Sequence, residues 1–211
     1  MVWAPLICAR NITDLIALRK ALLEQNPDLQ ILAFQADMAV QEDTQAFAAA
    51  VSDMKIPVSV LVNNCGIYLP GEVHSEPDGT LDKLIRTNLF SAYDLTRALI
   101  GPMKAINKGH IINICSTASV KPYPNGGSYA ITKFALYGFS LALREELKPH
   151  GIRVTAILPG PTLTDSWNGT DLPESRFMKS SDIAQGVWAA YQLSDYTVVE
   201  EMTLRPQLGD I

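Results

Sequence analysis

Short apolar runs rich in β-branched residues alternate with longer stretches of helical period along the whole chain, and no other feature constrains the fold as tightly. The strand-like runs are residues 6–9, 29–35, 58–62, 110–115, 152–158 and 197–204. Between them, Ile12, Leu15, Ile16, Leu22 and Leu23 mark the apolar face of one helix. Phe134, Leu136, Leu141, Leu143 and Leu147 mark another, which Pro149 and Gly151 end. Continuously apolar strands need cover on both faces, and strands separated by helices run parallel. The pattern predicts an α/β fold with a doubly wound parallel sheet. The 211 residues contain no repeat, low-complexity tract or linker, so a single domain over residues 1–211 is expected.

Charge and composition exclude several classes of function. Seventeen basic residues against 22 acidic ones leave a formal charge of -5, and no run of five like charges occurs. A polyanionic partner has no basic face to bind, so nucleic acid is not expected. No apolar stretch approaches the roughly 20 residues that span a bilayer, and the first ten residues lack the organisation of a secretory signal. The expectation is a cytoplasmic protein with no membrane partner. Cys8, Cys65 and Cys115 lie in or beside apolar runs and read as small buried hydrophobes of a reducing compartment. His74, His110 and His150 lack helical pairing, so no metal site is expected.

Two loops stand out. Residues 67–80 and 159–173 are rich in proline and glycine, and both follow strand C-termini, the end of an open parallel sheet where ligands bind. The chemistry-bearing constellation is Ser116, Tyr129 and Lys133. Tyrosine and lysine four apart share a helix face, so an ammonium can lie beside a phenol and favour its phenolate. Such a pair suits proton exchange with an alcohol or carbonyl. An apolar strand ending in Ser116, followed by a Pro/Gly loop, can bring a hydroxyl donor opposite the phenol.

These residues stand in an ordered series. Asn63-Asn64-Cys65-Gly66 follows a strand; Asn88 lies within Arg86-Thr87-Asn88-Leu89-Phe90; Ser116, Tyr129 and Lys133 come next; Pro159-Gly160-Pro161-Thr162-Leu163-Thr164 closes the series. The series resembles the motifs of the short-chain dehydrogenase/reductase family, with Cys65 in place of the usual alanine. The resemblance implies a Rossmann-like fold and an NAD(P)(H)-dependent oxidoreductase acting on a small carbonyl or alcohol. Tyr129 would be the general acid in reduction and the base in oxidation. Lys133 would support Tyr129 and hold the nicotinamide ribose, Ser116 would bind the substrate oxygen, and Asn88 would support a water relay to Lys133. Asn63, Asn64, Gly66, Pro159, Gly160, Thr162 and Thr164 would line the cofactor, with Asp37 near the adenine. Ala9 and Arg10 stand where an acidic residue would favour NAD(H), so NADP(H) is the expected cofactor. Relatives are usually dimers or tetramers, which makes a homo-oligomer the expectation. Each residue also has a plainer reading: Asn63, Asn64 and Asp37 as turn residues, Asn88 as a helix cap, Thr162 and Thr164 as partners of loop amides.

One family feature is missing. The family opens with a strand, a Thr-Gly-x-x-x-Gly-x-Gly turn and a helix that receives the cofactor diphosphate, whereas the first glycine here is Gly66. About 30 residues, one strand–helix unit, have no counterpart. A shortened N-terminus, natural or a gene-start artefact, is the expectation. The absent strand is central in the family order 3-2-1-4-5-6-7. Its neighbours would face each other across about 10 Å, two strand spacings, unless they slid together to pair. The second reading of the chain is therefore an inactive relative that binds a partner through this exposed sheet region or through the long helices.

Overall fold

The computed structural model describes residues 4–211; Met1, Val2 and Trp3, part of the opening segment read above, lie outside the described residues. All six expected strands form: β1 (Leu6–Ala9), β2 (Leu32–Gln35), β3 (Val60–Asn63), β4 (Gly109–Ile114), β5 (Ile152–Pro159) and β6 (Glu201–Leu204). The second and sixth are shorter than their apolar runs. β2 pairs only with the four residues of β1, and β6 is an edge strand paired with the last four residues of β5. Six helices alternate with them: α1 (Ile12–Gln25), α2 (Gln41–Asp53), α3 (Thr80–Ile85), α4 (Ser91–Ala105), α5 (Gly127–Leu147) and α6 (Ser180–Gln192). Asn11 starts α1 by accepting a hydrogen bond from Thr13 N–H at 2.9 Å. Gly151 ends the turn after α5 at φ +63°, where a Cβ would stand 2.6 Å from the Asn107 carbonyl oxygen.

Every pairing is parallel, as expected, but the strands form two sheets, β1-β2 and β3-β4-β5-β6. The gap expected between the first and third strands stays open. A cavity of about 870 Å³ lies there, with residues of both β1 and β3 in its walls. Right-handed crossovers explain how the halves stay together. The crossover through α1 leads outward from β1 to β2, while that through α2 leads back past β1 to β3, so the two helices cover opposite faces. On the α2 face one apolar cluster joins both sheets: Leu6, Cys8 and Phe34 pack with Phe47 and Val51 of α2 and with Leu95 and Leu99 of α4. The other face is thinly covered. Val62, in the middle of β3, is 41% exposed, and Ile16 of α1 is 61% exposed.

The four-stranded sheet holds the deepest core. Ile111 and Ile112 of β4 and Ile157 and Leu158 of β5 are fully buried. No helix among the described residues is long and apolar enough to cross a membrane.

Candidate active site

The C-terminal ends of β3, β4 and β5 bring the candidate residues to one edge of the larger sheet. Register fixes their relative heights, since Asn63 pairs with Asn113 and Asn113 with Ala156. Asn63 borders the cavity but anchors its side chain in the core. Its side chain turns inward, donating to Thr96 Oγ1 at 3.0 Å and Asn113 Oδ1 at 2.8 Å, and Asn113 in turn donates to Ser140 Oγ at 2.8 Å. A buried carboxamide must be satisfied. Asn63 therefore ties β3 and β4 to α4 and α5, while the exposed Asn64 and Gly66 face the cleft. Cys65 is also exposed rather than buried, because the strand has ended there.

Beyond β4, Ser116 opens a 3₁₀ turn over Thr117–Ser119. Its hydroxyl oxygen accepts from Ala118 N–H at 3.1 Å, and its own N–H donates to Ser119 Oγ at 3.2 Å. That geometry pins Ser116 while leaving its O–H proton free to donate outward. Tyr129 and Lys133 lie one turn apart on α5, with Lys133 Nζ 5.7 Å from the Tyr129 ring centroid. Lys133 is only 5% exposed, and its ammonium donates to the Ile114 carbonyl oxygen at 2.9 Å. One of its three protons is thereby fixed and the others remain for the cleft.

Asn88 sits in a π-helical turn over Arg86–Phe90, between α3 and α4, and is 0% exposed. Its Nδ2 donates to the Ile67 carbonyl and Thr132 Oγ1, each at 3.0 Å, and its Oδ1 accepts from Ile67 N–H at 2.8 Å. Thr132 in turn donates to the Tyr129 carbonyl at 2.8 Å. The carboxamide thus clamps the loop after β3 onto the helix that carries Tyr129. Asn88 Oδ1 and Lys133 Nζ each lie 3.5 Å from where a Cβ on Gly66 would stand. A water chain between them would use the remaining lone pair of Oδ1.

Two residues escaped sequence reasoning. Tyr68 meets Tyr129 edge to face, with ring centroids 5.1 Å apart. Its phenol also pairs with Tyr123, whose own phenol is pushed up by burial and by Tyr129 and Tyr68. Glu76 reaches across from the loop to the start of α5, accepting from Ser128 N–H at 3.3 Å and from the Ser128 hydroxyl. The same loop bonds back through Gly71 N–H to the Asn125 carbonyl at 3.1 Å. Neither residue carries a spacing signal, since their partners are more than 50 positions away.

Residues 3–174 match the protein family described as short chain dehydrogenase. The chain belongs to that family. Among its relatives, sepiapterin reductase of Chlorobaculum tepidum is 31% identical over 177 residues, covering 83% of this chain and 72% of that protein. An NADP-dependent 3-hydroxy acid dehydrogenase of Salmonella typhimurium is 30% identical over 193 residues, covering 83% and 76%. A metagenomic short-chain oxidoreductase solved with NADP superposes with a TM-score of 0.81 at 28% identity, covering 97% of this chain and 86% of that one. This short chain dehydrogenase is an NAD(P)-dependent oxidoreductase with a Rossmann-like α/β fold.

The residues present fit a nicotinamide dinucleotide at its two ends. At the catalytic end, the Lys133 ammonium, the Tyr129 phenol and the exposed Gly66 stand together. At the other end, Arg10 is exposed after β1 and Asp37 is half-buried after β2. Both ends act on the Cys65 thiol: although the residue as a whole is exposed, loss of water around the sulfur pushes it up, Arg10 and Lys133 pull it down and Asp37 adds to the rise. Asp37 is partly committed, accepting from Ala39 N–H at 3.0 Å in the turn before α2. On the third wall, Gly160 N–H donates to the Leu204 carbonyl at 2.8 Å and Thr162 Oγ1 donates to the Gly160 carbonyl at 3.0 Å, so Thr162 shapes the turn as its plainer reading holds. Thr164 is exposed beyond that turn, and Pro159 ends β5.

Proposed function

We propose that this oxidoreductase is an NADP(H)-preferring, single-domain cytoplasmic enzyme of small carbonyl and alcohol substrates, with Tyr129, Ser116 and Lys133 as catalytic residues. The observation that carries the reading is the buried Lys133 ammonium beside the Tyr129 ring, held by the Ile114 carbonyl at the end of β4, the strand that leads to Ser116. The nicotinamide, when bound, supplies or accepts the hydride. In reduction Tyr129 Oη gives its proton to the substrate oxygen, and in oxidation it takes one. Lys133 supplies positive charge next to the negative charge that develops on Oη, and its free protons reach toward the ribose hydroxyls. Ser116 donates its O–H to the substrate oxygen, fixed for that task by Ala118 N–H. Asn88 holds the floor of the site and offers one acceptor toward a proton path from Lys133. Asn64, Gly66, Pro159, Gly160 and Thr164 would line the cofactor.

Arg10 at the end of β1 supports the NADP(H) preference, because a guanidinium there pairs with a 2′-phosphate and no carboxylate stands in its place. The NADP bound to the similar metagenomic oxidoreductase and the NADP dependence of the 3-hydroxy acid dehydrogenase agree with it. Tyr68 and Tyr123 would form the aromatic wall of a small substrate pocket. A homo-oligomer is supported by exposed apolar residues on α4 and α5, namely Tyr93, Ile131, Phe134 and Leu141.

Titration of the purified chain with NADPH and with NADH tests the cofactor reading; saturable binding, tighter for NADPH, is expected. Tyr129→Phe should keep that binding and lose at least about 100-fold in turnover, the usual worth of a general acid. Unchanged turnover in the variant would refute the mechanism.

A further inference from the structure

A second cavity, of about 550 Å³, opens beside the start of α5. Its size falls within the range of ligand pockets, roughly 300–1,000 Å³. Val73 of the loop after β3, Pro122 and Pro124 of the loop after Ser116, and Ala130, Ile131 and Phe134 of α5 make its walls apolar. At about 100° per residue along the helix, the last three face away from Tyr129 and Lys133. Glu72 and His74 also border the cavity, but they lie 3.6 Å apart with their side chains largely in solvent. The Asn125 carbonyl is taken by Gly71 N–H at 3.1 Å. The cavity thus offers apolar contact and few free hydrogen-bonding groups, which suits an uncharged aliphatic chain.

Tyr123 joins this cavity to the catalytic residues. It forms part of the cavity wall, its phenol pairs with Tyr68, and the Tyr68 ring meets Tyr129 edge to face at 5.1 Å. The Tyr123 ring therefore stands between the Tyr129 phenol and the cavity.

The backbone that carries this ring is stiff. Pro122 has a fixed φ, and Pro124 restricts Tyr123 before it to extended conformations. The Tyr123 carbonyl accepts from Gly126 N–H at 3.1 Å, which closes the turn into α5. Gly126 gives the ring its place, since a Cβ there would stand 3.2 Å from Tyr123 Cε2. A ring held at both its backbone and its hydroxyl closes the catalytic site on that side.

We infer that Tyr123 sets the upper length of the substrate, and that the cavity behind it is a compartment for an aliphatic arm which the wild-type ring shuts off from Tyr129. Loss of the ring joins the two spaces. The length limit rests on the oxidoreductase reading; the joining of the two spaces does not.

The probes are butan-2-one and nonan-2-one, which carry the same methyl ketone and differ only in the arm. Each is titrated into the wild type, Tyr123→Ala and Tyr123→Phe, and contacts are read as intermolecular nuclear Overhauser effects. In Tyr123→Ala, bound nonan-2-one should touch the Tyr129 ring with its acetyl methyl and the Ala130 and Ile131 methyls with its chain end. With NADPH, the ratio of kcat/KM for nonan-2-one to that for butan-2-one should rise at least about tenfold over the wild type, the low end of what one methylene is worth in an apolar pocket. Tyr123→Phe keeps the ring and should keep the wild-type ratio. Contacts at both ends of the ketone already present in the wild type, or none with Ala130 and Ile131 in Tyr123→Ala, would overturn the inference. So would an unchanged ratio in Tyr123→Ala, or an equal rise in Tyr123→Phe. Contacts at both ends in Tyr123→Ala alone, with neither ketone turned over by any of the three proteins, uphold the joined compartment and count against the oxidoreductase reading alone.

Discussion

Acid stability of this fold turns on one buried imidazole. His110 begins the second half of the core at the N-terminal end of β4 and is 1% exposed. Its Nε2 lies 2.7 Å from Thr155 Oγ1, and the Thr155 hydroxyl donates its proton to the Val199 carbonyl at 2.6 Å. Thr155 must therefore accept from His110, which assigns the neutral tautomer with the proton on Nε2. Nδ1 is then a bare lone pair, and among the described residues it has no hydrogen-bond partner. Protonating it places a charge in the core with no acceptor and with Arg153 nearby, so burial and Arg153 lower the group to about 4 from an ordinary 6.5. The sign follows from linkage. The unfolded chain takes up a proton near 6.5 while the folded chain resists until about 4, so this stability is present above pH 6.5 and is lost as pH falls through that window. The loss comes to about 1.4 kcal/mol by pH 5.5 and about 3 kcal/mol by pH 4. Urea unfolding of the wild type and His110→Gln at pH 7.5, 5.5 and 4 measures it, because glutamine can still donate to Thr155 but does not titrate. The wild type should lose about 3 kcal/mol more than the variant over that range. Parallel profiles would refute the assignment of a neutral, unpartnered imidazole.

Two further substitutions probe the frame around Tyr129. Glu76→Ala removes a carboxylate bonded to the first turn of α5 and should cost about 1 kcal/mol of stability, the usual worth of a helix cap; it should also lower kcat more than it raises KM, whereas Glu76→Gln should recover most of both. Equal kinetics in the wild type and Glu76→Ala would show that the loop does not position Tyr129. Asn88→Ala leaves the part-buried Ile67 N–H and C=O without their partner and opens a gap at a fully buried side chain, while the Thr132 hydroxyl keeps its bond to the Tyr129 carbonyl, so a loss of about 2 kcal/mol or more is expected in urea unfolding; a loss below about 1 kcal/mol would mean that water replaces the clamp.

Strand positions were legible because fully buried strands are written as runs of Ile, Val and Leu. The runs 110–115 and 152–158 fall within one residue of the observed strands, where both neighbours are present. Residues 29–31 and 197–200 were overread, since apolar character marks burial while strand assignment needs a paired neighbour. The catalytic set was legible because Tyr129 and Lys133 share a helix and their spacing encodes proximity. Glu76 and Tyr68 were not, because their contacts with α5 depend on the path of a loop. Asn63 is legible as a motif, but the direction of its side chain is not. Strand alternation alone does not say which face of the turn meets α4, and the Thr96 and Asn113 partners decide it.

The split in the sheet separates two tasks that a continuous sheet would merge. Ser116, Tyr129, Lys133 and Asn88 depend on β4, α4, α5 and their neighbours, all of which belong to the four-stranded half with its fully buried core. Their geometry does not require β1 or β2. Arg10 and Asp37 belong to the two-stranded half, which is joined to the rest by packing between α2 and α4 rather than by strand hydrogen bonds. Packing across an apolar layer tolerates small sliding more readily than a ladder of hydrogen bonds does. Proton transfer at Tyr129 is thus built on the stiffer half, and recognition of the far end of a dinucleotide on the more compliant one.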